Sequence, residues 1–220
     1  MDGMAETMTL SGTTAAVMTA GAGRAARRPG QFGREVGYLL AGLPLGTAAF
    51  TLGITGFTLG VSTLVIWIGF FVLAWALSVA RYLARVEAAQ VAYVTGRPLP
   101  PREPRTGSGP LALLRDAQAW RDLVHSVLAF PLRVVTFSLT VAWLAGGAGE
   151  LLYGVWSWAL PEGDVNGLFE LITGNDSRFL DILFHTATGA VLLATAKPVI
   201  RGLVTTQAGL ARVLLRSEPR

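Results

Sequence analysis

Cysteine is absent from the chain, which excludes a disulfide framework, a thiolate metal site and a cysteine nucleophile. Histidine occurs twice, as His125 and His185, and no HxxxH or HExxH spacing exists, so no metal site, cofactor or catalytic residue is expected. Lysine occurs once, as Lys197, beside 17 arginines. With 26 glycines, that bias reads as a high-GC bacterial genome. Charge is scarce at 15% of residues and is missing entirely from the 45 residues Val36 to Ala80. One bilayer crossing needs about 20 apolar residues, so this stretch is long enough for two.

What is present fits a membrane protein. Hydrophobic residues make up 52% of the chain and the mean hydropathy is +0.51, too apolar for a soluble domain of 220 residues. The pI near 10.1 would suggest nucleic acid in a soluble protein. Here the arginines flank apolar segments, so membrane lipids are the expected partner and nucleic acid is not. Arg24, Arg27, Arg28 and Arg34 are expected to anchor the first helix on headgroup phosphates, with Arg81 and Arg85 doing the same after the second.

The apolar pattern predicts an all-α, four-helix membrane bundle with spans at about 37–59, 61–82, 134–158 and 179–200. A turn is expected near Gly53–Gly60, a bend at Pro44, and kinks or hinges at Pro131 and Pro198. Residues 1–32 read as a disordered tail that is not a cleaved signal peptide, because its arginines follow rather than precede the small-residue run. Residues 95–110, rich in proline and glycine, read as a linker, and 217–220 as a short tail. Segments 1–35, 81–133 and 197–220 hold 17 of the 18 basic residues, whereas the last two spans and the loop between them, 134–196, hold Arg178 against Glu150, Glu162, Asp164, Glu170, Asp176 and Asp181. The positive-inside rule then places both termini and 81–133 in the cytoplasm and 159–178 outside the plasma membrane.

Residues 111–130 have helical apolar spacing, with Leu113, Leu114, Ala117, Trp120, Val124, Val127 and Leu128 on one face and Arg115, Gln118, Asp122 and His125 opposite. This predicts an amphipathic helix on the inner membrane surface, ending at Pro131. Polar chemistry concentrates instead near 150–185. Asp181 and His185 are i, i+4 partners, and ionisable groups in membrane segments are functional candidates. Glu150, Asp181 and His185, with Trp156 and Trp158, are therefore the candidate ligand-sensing residues for a cation, proton or amphipathic ligand. A histidine beside a carboxylate suits a pH-responsive role.

Three stretches, GREVGYLLAGLPLGTAAF (33–50), GRPLPP (96–101) and RDAQAWRDLVHSVLAFPLRVVTFSL (115–139), resemble the putative sensor domain of actinobacterial membrane proteins. The resemblance runs from about Gly33 to Leu215. In that family the module commonly precedes a two-component histidine kinase, which implies a four-helix module that detects a signal and transfers no catalytic residues. The sequence ends at Arg220 without a phosphoacceptor box or a Gly-rich ATP-binding segment, so the resemblance implies sensing without autophosphorylation. A separate signalling or transport protein is then the expected partner, and self-association is compatible. The alternative expectation is a structural subunit of a transporter or lipid-handling complex. A transporter in its own right ranks lower, since the helix interiors lack paired broken helices.

Overall fold

The structure is a computed structural model that describes residues 30–97, 109–159, 174 and 177–215. Most of the tail 1–32, the linker core, most of the 159–178 connection and the tail 217–220 lie outside the described residues. Of residues 1–33 only Gly30, at φ 75°, and the first residues of one helix are described. From Arg34 onward the chain packs as one unit.

Helix α1 spans Gln31–Ser62. Small residues Gly42, Gly46, Ala49, Gly53, Gly56 and Gly60, alternately four and three apart, are all buried along it. That spacing makes a ridge on which neighbouring helices approach closely. The glycines of 53–60 therefore serve packing inside α1, and the expected turn there is corrected. The chain turns later, through a 3₁₀ segment Leu64–Ile66 and Trp67 at φ 66°, before α2, Ile68–Thr95. Gly69 makes the turn this tight, because a Cβ on it would lie 2.6 Å from the Thr63 carbonyl carbon and closer still to the Gly60 oxygen. Along the hairpin, a Cβ on Gly56 would lie 2.6 Å from Ala76 Cβ, and one on Gly60 would lie 3.0 Å from Leu73 Cβ.

A short helix α3, Pro110–Leu114, precedes α4, Ala117–Val141. Asp116 caps α4 by accepting from the Gln118 amide at 2.9 Å. The helix does not stop at Pro131 but runs through it, a π-helical turn at Ala142–Gly146 and α5, Gly147–Leu151. Together these form a rod of 35 residues, Ala117–Leu151. Short α6, Tyr153–Trp156, follows, and α7 spans Arg178–Leu214 with Pro198 inside it. No strand occurs among the described residues. Four of these helices are long and apolar enough to cross a bilayer. Their exposed faces and connections carry Val65, Trp67, Phe71 and Val155, as expected where lipid rather than water is the solvent.

The direction of α4 departs from the sequence expectation. Consecutive spans from a shared cytoplasmic side would make the first and third run the same way. Instead Phe57 meets Trp120 edge-on at 6.2 Å, Phe50 stacks on Phe130 at 4.5 Å, and Gly46 lies under Arg133. Numbers rise on α4 as they fall on α1, so the two are antiparallel. The α1–α2 turn and the end of α6 consequently lie at opposite ends of the packed helices. The cause is where α4 begins. Asp116 pairs with Arg81, partway along α2, and Leu113, Ala119 and Leu123 form a core with Ala74, Leu77 and Ala80.

Candidate functional site

Among the described residues two polar clusters lie between the helices, and only the first is among the expectations drawn from the sequence. The first unites Glu150 of α5 with Asp181 and His185 of α7. Close approach of the two helices brings them together. A Cβ on Gly189 would fall 2.7 Å from the Gly147 oxygen and 2.7 Å from Leu151 Cα, and one on Gly154 would fall 3.1 Å from Ile182. These small residues hold the backbones in contact one turn away from Glu150 and His185. His185 Nδ1 then meets Glu150 Oε2, and Nε2 lies 3.4 Å from Asp181 Oδ1.

Tyr153 of α6 closes this cluster. Its ring stacks on His185 at 4.1 Å and 23°, and its hydroxyl donates to Asp181. Burial, that hydrogen bond and the nearby Asp181 and Glu150 charges raise the phenol above its ordinary value of 10.0. Trp156 joins at one remove, edge-on to Tyr153 at 5.2 Å and donating to the Gly149 carbonyl at 3.0 Å. Trp158 is 75% exposed and lies apart from the group. In the sequence Tyr153 stands out only as part of an aromatic run; its position three residues after Glu150, one turn on, is the signal that points to the cluster.

The second cluster gathers Tyr38, Glu87, Asp122, His125 and Arg133, all buried. Glu87 Oε2 accepts from His125 Nε2 at 2.7 Å and from Arg133 Nη2 at 2.6 Å. Gln118 donates to Asp122 at 3.1 Å. A neighbouring layer continues the polar contacts, where the Thr136 hydroxyl donates to the Gln207 carbonyl oxygen at 3.1 Å. These positions correct the expected faces over 122–128, whereas Leu113 is buried and Arg115 exposed as expected. Asp122 and His125 face inward at 0% and 2% exposure, whereas Val124 and Leu128 face outward at about half. In lipid the apolar face has no reason to hide, and the polar face seeks partners inside the protein. The legible signal is the run Asp122, Ser126, Ala129, Arg133, Thr136 and Thr140, alternately four and three apart and all buried.

The arginines expected to hold headgroups divide. Arg81 is buried at 8% exposure and paired with Asp116, so it ties α2 to the start of α4 and does not reach lipid. Arg85 is exposed. Arg34 lies over the Tyr93 ring at 5.5 Å. Arg24, Arg27 and Arg28 lie outside the described residues. No group of three or more metal-type ligands occurs among the described residues.

An all-helical chain with four bilayer-length helices and ionisable clusters between them is a polytopic membrane protein. Residues 38–215 match the family described as "Putative sensor", and the chain belongs to that family. No curated protein and no solved structure matches it.

Proposed function

We propose that this protein is a non-enzymatic sensor in a bacterial, actinobacterial plasma membrane, which detects an envelope signal and relays it to a separate signalling protein of the two-component type. The observation that carries the reading is the Glu150–His185–Asp181 group under Tyr153. It joins α5, α6 and α7 through groups whose charge and hydrogen bonding respond to a cation, a proton or an amphipathic molecule. A signal shifts such a joint only by binding its two arrangements unequally. The family description supports sensing, and lipids are the surrounding partner.

Crosslinking of the full chain in native membranes, followed by identification of the captured protein, tests the relay. A histidine kinase or response regulator supports it. A transport or lipid-handling protein overturns it in favour of an accessory subunit. His185→Ala and Asp181→Asn should each weaken the response of that partner, and wild-type responses in both would sink the assignment of this cluster. The charge asymmetry assigns the termini to the cytoplasm and 159–178 to the outside. Because native cysteine is absent, Ser11→Cys and Asn166→Cys can be probed singly with an impermeant maleimide on intact cells. Labelling at 166 alone supports that orientation. Labelling at both or at neither overturns it, because the antiparallel packing of α1 on α4 puts the start of α1 and the end of α6 at the same end.

A further inference from the structure

The Glu87 cluster plays no part in the reading above, yet it has the properties of a binding site. It surrounds a cavity of about 10 Å³, open to the centre of a water-sized sphere and lined on its polar side by Glu87, Asp122, His125, Ser126 and Arg133. That is room for about one water molecule. Two of these side chains are already engaged. Asp122 accepts from Gln118 at 3.1 Å, and the Ser126 hydroxyl donates to the Leu123 carbonyl at 2.7 Å. The other three each carry a buried atom with no hydrogen-bond partner among the described residues: Glu87 Oε1, His125 Nδ1 and Arg133 Nε. All three residues are more than nine-tenths buried, where an unmet polar atom is costly.

We propose that this cavity is a hydration site, in which one internal water molecule joins α2 to α4 by donating to Glu87 Oε1 and His125 Nδ1 and accepting from Arg133 Nε.

The balance of donors and acceptors leads there. Glu87 Oε2 accepts from both His125 Nε2 and Arg133 Nη2, so Nε2 carries the ring hydrogen and Nδ1 of a neutral ring offers a lone pair. Arg133 Nε always carries a hydrogen. Two acceptors and one donor are the complement of a water molecule, which gives two hydrogens and accepts up to two. A ring protonated at Nδ1 as well is met equally, because water then accepts there and still donates to Glu87. The assignment therefore does not depend on the charge of the ring. Other occupants fit less well. A metal or ammonium ion would stand against the Arg133 guanidinium, which is part of the wall and already pairs with Glu87. A larger neutral molecule exceeds the volume. The rest of the wall, Leu45 and Ala49 from α1 with Ala80, Leu83 and Ala84 from α2, is apolar and cannot meet the three atoms itself.

The test uses the full chain in hydrated lipid bilayers, labelled with carbon-13 and nitrogen-15 in histidine rings. With only two histidines in the sequence, His185→Gln leaves the His125 signals alone in the solid-state spectrum. Magnetisation is started on water protons and its arrival at the His125 ring carbons is followed. At 2% exposure the ring is sealed from bulk water, so rapid transfer to those carbons reports a water molecule inside. Ala84→Val adds two methyl groups to the cavity wall and should abolish the transfer. Ser126→Thr, which adds one methyl and keeps the hydroxyl, carries the comparison if Ala84→Val does not fold. A crystal structure of the full chain grown from a lipid mesophase should show one oxygen within about 3.2 Å of Glu87 Oε1, His125 Nδ1 and Arg133 Nε. Absence of transfer to the ring overturns the proposal. So does transfer that persists undiminished when the cavity is filled, or a crystal structure in which the three atoms meet one another without an intervening oxygen.

Discussion

Gly189 offers the sharpest test of how the α5–α7 contact is built. Replacing it with alanine adds one methyl carbon that would stand 2.7 Å from the Gly147 oxygen and 2.7 Å from Leu151 Cα, and closer still to the Leu151 amide nitrogen. Ordinary contact begins at 3.4 Å, so the crossing must open by roughly 0.7 Å or more, and the opposing atoms are backbone that cannot swing aside. Overpacking of this kind costs about 1–3 kcal/mol, and rigid opposing atoms favour the upper end. The helix-propensity gain of alanine over glycine returns about 0.5–1 kcal/mol. The net expectation for Gly189→Ala is a loss of about 2 kcal/mol, or roughly 30-fold in the folded-to-unfolded ratio. At Gly202, thirteen residues later on the same helix, a Cβ would meet nothing within 4 Å. Gly202→Ala makes the same chemical change without the clash and should leave stability unchanged or raise it by up to about 1 kcal/mol. Denaturant unfolding of the two variants in detergent micelles, followed by helical circular dichroism, compares them directly. Equal midpoints would refute the close crossing, and with it the account of how Glu150 reaches His185.

Other consequences concern the capping aspartate and the stacked tyrosine. Asp116 both caps α4 and neutralises buried Arg81, so Asp116→Ala should cost about 3 kcal/mol. Asp116→Asn keeps an accepting oxygen for the Gln118 amide and should cost about 1 kcal/mol less; thermal unfolding of the pair checks the order, and an alanine variant no worse than the asparagine would remove the cap from the account. The Tyr153 phenol is raised above 10.0 in the folded chain, so its contribution to stability is complete below about pH 10 and is lost as pH rises through the folded value. Tyr153→Phe should therefore flatten the alkaline limb of the stability profile and leave the neutral region's slope unchanged, which a series of melts from neutral to alkaline pH would read.

Much of the helical frame is legible because lipid imposes simple rules on a sequence. Forty-five uncharged residues admit little other than a pair of long helices, and Asp181 and His185 fall on one face by spacing alone. That they meet Glu150 follows from glycines 147 and 189 lying opposite each other, which spacing within one helix cannot reveal. Between Asp122 and Leu128 the expected faces are inverted for a definite reason, while Leu113 stays buried and Arg115 exposed. A soluble amphipathic helix buries its apolar stripe, whereas this one turns Val124 and Leu128 outward and Asp122 and His125 inward.

By itself, then, the sequence determined helical class, membrane residence and the local pairing of Asp181 with His185, since each depends on composition or on contacts within one helix. The tertiary structure alone decided that α4 runs against α1, that Arg81 serves Asp116 rather than lipid, and that His125 meets Glu87, 38 residues away. Those outcomes depend on which polar groups find each other in a medium without water, and in each of these cases the partner lies on a different element of the chain.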